Sequence, residues 1–215
     1  MVPLGSGAEV RGSVRTAGSG AQLPAGLQLE LMPVNGDMRN AVIAPVDHGG
    51  AFHFSGVMPE HYTVSVGGLR DGYYVHSIRS GNQDLTHLPL DLTSAAPAAL
   101  EIVLSPEGAE VRGVVRGPAG EIVPGASVRV WGADSTVYPA TADESGSYRV
   151  GGLPPGEYRV FAWEEPDPAL TIDPGIRNAF GGYATSVKLA GRAKEMVDLK
   201  VISREAVESE LAKPR

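Results

Sequence analysis

The chain has 215 residues, with 18 Lys and Arg against 25 Asp and Glu and a net charge of −7. That balance, with no basic cluster, excludes an electrostatic partnership with nucleic acid or an anionic membrane surface. Cysteine is absent, which removes disulfides, thiolate nucleophiles and Cys-based zinc sites together. No apolar run approaches the ~20 residues needed to span a bilayer, so direct membrane insertion is not expected.

The length suits two domains of about 100 residues each, and 28 Gly with 17 Pro supply the many turns of an all-β chain. In chain order, Glu9 to Arg15 alternates as a first strand, and Glu110 to Arg116 repeats it almost letter for letter, Val10 and Val111 lying 101 positions apart. Leu27, Leu29 and Leu31 form the inward face of a second strand, matched by Ala126, Val128 and Val130. A third strand over Arg39 to Val46 has its counterpart at Val137 to Ala142.

Next comes the best-marked stretch, Asp143 to Val160, with a degraded copy at Asp47 to Val64. Tyr148 and Val150 alternate with polar residues, Gly152 to Gly156 interrupt, and Tyr158 and Val160 resume the alternation. The pattern predicts strand, tight turn, strand, hence a β-hairpin in each repeat. Asp47 and Asp143 are expected to accept turn N–H groups while Gly50 and Gly146 supply positive φ and Gly156 completes the second turn. Tyr62 and Tyr158 are expected to bury their rings and place the hydroxyl on nearby backbone, as corner tyrosines do.

After this cassette the repeats diverge. The first continues through Tyr73 to Arg79 and closes at Leu100 to Leu104. The second runs into the acidic, Pro-broken Glu164 to Pro168. An N-cap at Asp173 with Pro174 behind it then predicts one short helix ending near Phe180. Ala184 to Leu189 and Lys194 to Ile202 close the repeat. The expected architecture is all-β, two tandem sandwiches of about seven strands over residues 8–105 and 109–203, with a C-terminal tail at 204–215 bearing at most a short exposed helix.

At these residues the chain resembles the carboxypeptidase regulatory-like family, one of the prealbumin-like (transthyretin-like) Greek-key sandwiches, alongside Cna-B adhesin repeats and starch-binding-like domains. The likeness rests on Val111-Arg-Gly-Val-Val, Pro124-Gly-Ala-Ser-Val, Asp143-x-x-Gly146-x-Tyr148 and Leu153-Pro-Pro-Gly-Glu-Tyr158. In the first repeat it rests on Tyr73 to Arg79, Leu100 to Leu104 and the weaker cassette, where Glu60 stands in place of Gly156. The resemblance implies an accessory, non-catalytic module of a bacterial surface or secreted protein, extracellular or periplasmic. Its expected partners are other domains of that protein, a glycan or a surface protein. A further alternative is a subunit of a self-assembling extracellular filament, in which open strand edges pair with the next copy. Cna-B repeats often crosslink a first-strand Lys to Asn or Asp. The first strands here offer Arg11, Arg15, Arg112 and Arg116, so no crosslink is expected.

Catalytic chemistry finds little footing. All five histidines lie in the first repeat, and His53 and His61 are expected to face each other across the hairpin as solvated side chains without a third ligand. There is no Walker loop, dinucleotide fingerprint or nucleophile elbow. No cofactor or metal is expected. If Tyr158, Val160 and Ala162 point inward, Phe161 and Trp163 point outward, with Trp131 on the same outer face. Two readings follow for Trp131, Phe161, Trp163 and Tyr183. They form an exposed platform for sugar rings or a protein anchor, or the segment Pro166 to Phe180 folds over and buries them.

Overall fold

The computed structural model describes residues 7–18, 22–93, 97–164 and 179–212, and the chain divides into two compact units, Met1–Pro106 and Glu107–Arg215. Nine strands of the first unit are β1 (Ala8–Thr16), β2 (Gln28–Pro33), β3 (Val42–Pro45), β4 (Ala51–Val57), β5 (His61–Gly67), β6 (Tyr74–Ser80), β7 (Gln83–Asp84), β8 (Leu90–Asp91) and β9 (Leu100–Ser105). They make two sheets, ordered β4-β1-β9-β6-β7 and β3-β2-β5-β8. Inward rows from both, including Val10, Val14, Leu29, Leu31, Phe52, Phe54, Tyr62 and Ile102, share one core.

The second unit contains β10 (Ala109–Arg116), β11 (Ser127–Gly132), β12 (Val137–Thr141), β13 (Ser147–Leu153), β14 (Gly156–Trp163), β15 (Thr185–Leu189), β16 (Lys194–Met196) and β17 (Leu199–Lys200). Its sheets are β13-β10-β16, with β17 also on β10, and β12-β11-β14-β15. Val111, Val115, Val128, Val130, Tyr148, Tyr158 and Val160 join in its core. Both units are thus all-β sandwiches, each with two facing sheets around one core. The helix expected from Asp173 falls on residues up to 178 that lie outside the described ones. The helix that is described, α1 (Arg204–Leu211), is N-capped by Ser203, whose Oγ accepts from the Ala206 N–H at 3.2 Å.

The two cassettes are not hairpins. β4 pairs with β1 while β5 pairs with β2 and β8, and β13 pairs with β10 while β14 pairs with β11 and β15. Each cassette is an arch that carries the chain from one sheet to the facing one. Two-residue hairpin loops need positive φ at their centre, whereas Pro154 and Pro155 are held near about −65°. In the first unit Pro59 stands at the same bend. His53 and His61 are therefore on different sheets. His53 Nε2 meets Glu9 Oε2, and His61 Nε2 lies 3.7 Å from Asp91 Oδ1.

The turns before the arches are built as expected. Asp47 Oδ1 accepts from the Gly49 and Ala51 N–H groups, both at 2.8 Å. Asp143 Oδ1 accepts from the Ser145 and Ser147 N–H groups at 2.8 and 3.0 Å and from the Ser145 hydroxyl at 2.7 Å. Gly50 and Gly146 adopt φ of 87° and 70°, a region that favours glycine. Gly156 plays no such part. It is the first residue of β14, paired with Leu189, and it is not among the positive-φ residues. The positive φ near the arch belongs to Gly152, opposite the register shift between Ala109 and Glu110 that marks a bulge.

A second glycine pair explains the repeated first strands. β1 and β9 run parallel from Gly12↔Leu100 to Thr16↔Leu104, and β10 runs parallel to β16 and β17. A Cβ on Gly12 would meet the Leu100 carbonyl oxygen at 2.2 Å, and one on Gly113 the Val197 oxygen at 2.0 Å. The glycine in each Val-Arg-Gly sequence lets the first and last strands of its unit approach.

Candidate functional site

The candidate surface is the outer face of the β12-β11-β14-β15 sheet. Antiparallel register places Ser127 opposite Trp163, Arg129 opposite Phe161 and Trp131 opposite Arg159. Because side chains alternate along a strand, these six share a face, while Val128, Val130, Tyr158 and Val160 serve the core. The sequence alternation therefore assigns the facing of Trp131, Phe161 and Trp163 correctly.

Their exposure overturns the reading of an open platform. Trp131, Phe161 and Trp163 retain 2%, 1% and 3% of their surface, so they form no open platform. They make a second apolar cluster with Phe180 and Ile202, against which Val137, Ala184, Ala206 and Val207 pack. Within it Phe161 stacks on Trp163 at 5.2 Å between centroids and meets Trp131 edge-on at 6.2 Å. The Arg159 guanidinium lies 5.7 Å from the Phe161 ring centroid, and its Nη2 donates to the Gly181 carbonyl at 2.9 Å, adding a cation–π contact to a backbone anchor. Tyr183 alone of the four aromatics stays open, at 46%.

Two segments make the cover. Phe180 arrives just before a short 3-10 turn at Gly181–Tyr183 and is fully buried. The chain then returns from the other direction. Ile202 bridges in parallel to Trp163, its N–H donates to the Ala162 carbonyl at 2.8 Å, and its carbonyl accepts from the Glu164 N–H at 3.1 Å. This tie seats α1 so that Ala206 and Val207 reach the cluster. Residues 204–212 are thus part of the second unit's packing and not a detached tail. The part of the expected cover that includes Ile172 and Ile176 lies outside the described residues.

At the other end of the same face is an open depression of about 570 Å³, lined by Trp131, Gly132, Ala133, Arg159, Ser186 and Lys188 among others. Lys188 Nζ stands 3.3 Å from Glu157 Oε1 across the strand pair. Arg129 donates to its neighbour's Val128 carbonyl at 2.9 Å, and burial lowers its pKa.

The corner tyrosines are committed to backbone. Tyr158 donates its hydroxyl to the Pro154 carbonyl at 2.6 Å, and Tyr62 does the same to Met58 at 3.0 Å. Each ties the far foot of an arch to its near foot. Asp143 lies below the ordinary carboxylate range, mainly through the Ser145 hydroxyl and then the Ser147 N–H. Tyr148 donates to the Val197 carbonyl at 2.7 Å, and burial pushes its phenol up. Among the described residues no group of three His, Cys, Asp or Glu side chains is placed to hold a metal ion. No described helix is long and apolar enough to cross a membrane.

Comparison with solved structures finds similarity to the shaft pilin SpaA from Lactobacillus rhamnosus GG, at 15% identity and TM-score 0.34, over 90% of this chain and 96% of that one. GBS52, the minor pilin of Streptococcus agalactiae, is similar at 12% identity and TM-score 0.33, over 90% and 94%. The TIE protein of Bacillus anthracis is similar at 14% identity and TM-score 0.33, and the match covers 91% of this chain but spans only 34% of that protein. No curated protein matches the sequence. The second unit, over residues 110–165, from β10 through the arch to the end of β14, matches the family model of the carboxypeptidase regulatory-like domain.

Proposed function

We propose that this chain is a non-catalytic tandem β-sandwich module of a larger surface or secreted protein, serving as a spacer, adhesion or display segment next to other domains. The observation that carries the reading is the burial of Trp131, Phe161 and Trp163 beneath Phe180 and Ile202. The side chains best suited to hold a ligand are spent on closing the second unit. Asp143 and Tyr158 likewise serve the turn and arch of its core. A carbohydrate-binding role loses the aromatic platform it requires, leaving Tyr183 as the one open ring of the four.

Two measurements test the proposal. A glycan array probed with the full chain and with Tyr183→Ala is expected to show no ring-dependent binding; a glycan lost on that substitution would overturn the spacer reading. Antibodies raised against the second unit are expected to label intact cells of the source organism. Labelling only after lysis would overturn the surface assignment.

A further inference from the structure

Sheet edges invite pairing with another chain unless they are short, bulged, proline-bearing or covered. In the first unit β7 and β8 have two residues each and β3 ends in Pro45. In the second, β12 carries Pro139 at its centre, and β16 and β17 are parted at Val197 and Asp198 and carry Lys194, Glu195 and Lys200. β4 and β13 are bulged and lie beside β3 and β12 of the facing sheets. β15 carries one charge, Lys188, but is neither bulged, interrupted nor proline-bearing. Its five residues, Thr185 to Leu189, pair without interruption with Val160 to Gly156, and no described residue pairs with its other side.

We infer that the free edge of β15 is a strand-addition site for an extended, acidic segment of a partner protein. An added strand continues the sheet and sets its outward side chains beside Ser186 and Lys188, over the depression bounded by Arg159 and Trp131. Two cations, Arg159 and Lys188, face one carboxylate, Glu157, in that depression, so it is locally positive on a chain of net charge −7. Carboxylates at alternate positions of the incoming strand match it. Val187 and Leu189 on the inward side, Leu189 within the core and Val187 packed against it, ask for apolar residues between them. A second copy fits poorly, because antiparallel pairing about Val187 brings the two Lys188 side chains to diagonal positions, where like charges repel. The site adjoins the buried aromatic cluster at Trp131 and Arg159 but needs none of its rings open, and its failure leaves the module reading standing.

The test is a titration of the full chain, isotope-labelled, with an acetylated, amidated seven-residue peptide alternating Val and Glu. Expected are amide shifts centred on Thr185 to Leu189, and loss of binding when alternate residues of the peptide are N-methylated along one edge. Affinity is expected to fall about fivefold for Lys188→Gln, which removes the charge without setting a second carboxylate opposite Glu157. No shifts, equal binding by the Val and Lys peptide, or binding that survives methylation on either edge would overturn the site. Sedimentation showing that the chain pairs with its own copy through β15 would overturn the proposed occupant.

Discussion

The two units share an inward face and differ on the outward one. Leu29, Leu31, Tyr62 and Val64 of the first unit do what Val128, Val130, Tyr158 and Val160 do in the second. On the opposite face the first unit pairs Gln28 with Gly67, Glu30 with Ser65 and Met32 with Thr63. The second pairs Ser127 with Trp163, Arg129 with Phe161 and Trp131 with Arg159. The difference follows from where the chain goes next. After β5 it enters β6, which extends the other sheet beside β9, and the outer face of the first unit stays polar, with Ser65 donating to Glu30 at 3.2 Å. After β14 the chain brings Phe180 and later Ile202 back over the outer face, and aromatic residues there become a second core. The inward rows define the sandwich, and the outer face answers to the connections.

Four tests, with seven substitutions among them, break or sharpen that comparison. The largest effect is expected at the point of greatest difference. Phe161→Ala should cost the second unit about 3–5 kcal/mol, while its positional counterpart Ser65→Ala stays within about 0.5 kcal/mol. Denaturant unfolding checks this directly, since both tryptophans lie in the second unit and their fluorescence reports its transition. Gly113→Ala and Gly12→Ala should be equally harmful, about 1–3 kcal/mol each from the clash with Val197 and Leu100 oxygens. Circular dichroism melts of the two variants compare them. A large inequality would show that the parallel pairings are not equivalent.

Tyr158→Phe and Tyr62→Phe are each expected to cost about 1 kcal/mol through loss of the hydroxyl bond across the arch, again by denaturant titration. The smallest effect concerns acid. The folded pKa of Asp143 lies below its usual value, so its contribution to stability is complete above about pH 4. That contribution is lost as pH falls through the lowered value. Asp143→Asn should flatten the acid limb of the second unit's stability curve by lowering stability at neutral pH, with the least change below the lowered pKa.

What could be read from the sequence was local. Alternation located the inward rows, the Asp-x-x-Gly spacing located the turns, and the tyrosines at Tyr62 and Tyr158 were correctly tied to backbone. Alternation does not say whether two consecutive strands lie side by side or face each other across a core, so the arches looked like hairpins. The informative signal was Pro154-Pro155, which no two-residue hairpin loop tolerates. Gly113 in Val-Arg-Gly-Val-Val was visible as a repeat. Its reason, the close carbonyl of Val197, sits 84 residues away and emerges only from the fold. The fate of Trp131, Phe161 and Trp163 likewise depends on Ile202, which reads locally as the end of the closing strand, and on α1, which reads as a short exposed helix of the tail.

The parallel pairing of first and last strands has a mechanical consequence. In each unit the first strand and the last are hydrogen-bonded neighbours, β1 beside β9 and β10 beside β16 and β17, with α1 following β17 in the second unit. Tension applied through the two chain ends then slides these neighbours past each other. The rungs of the ladder carry the load together rather than opening one after another, and the rate of forced unfolding, not equilibrium stability, sets how long the fold survives. Gly12 and Gly113, by letting these strands close up, sit where a tether under tension would bear its load.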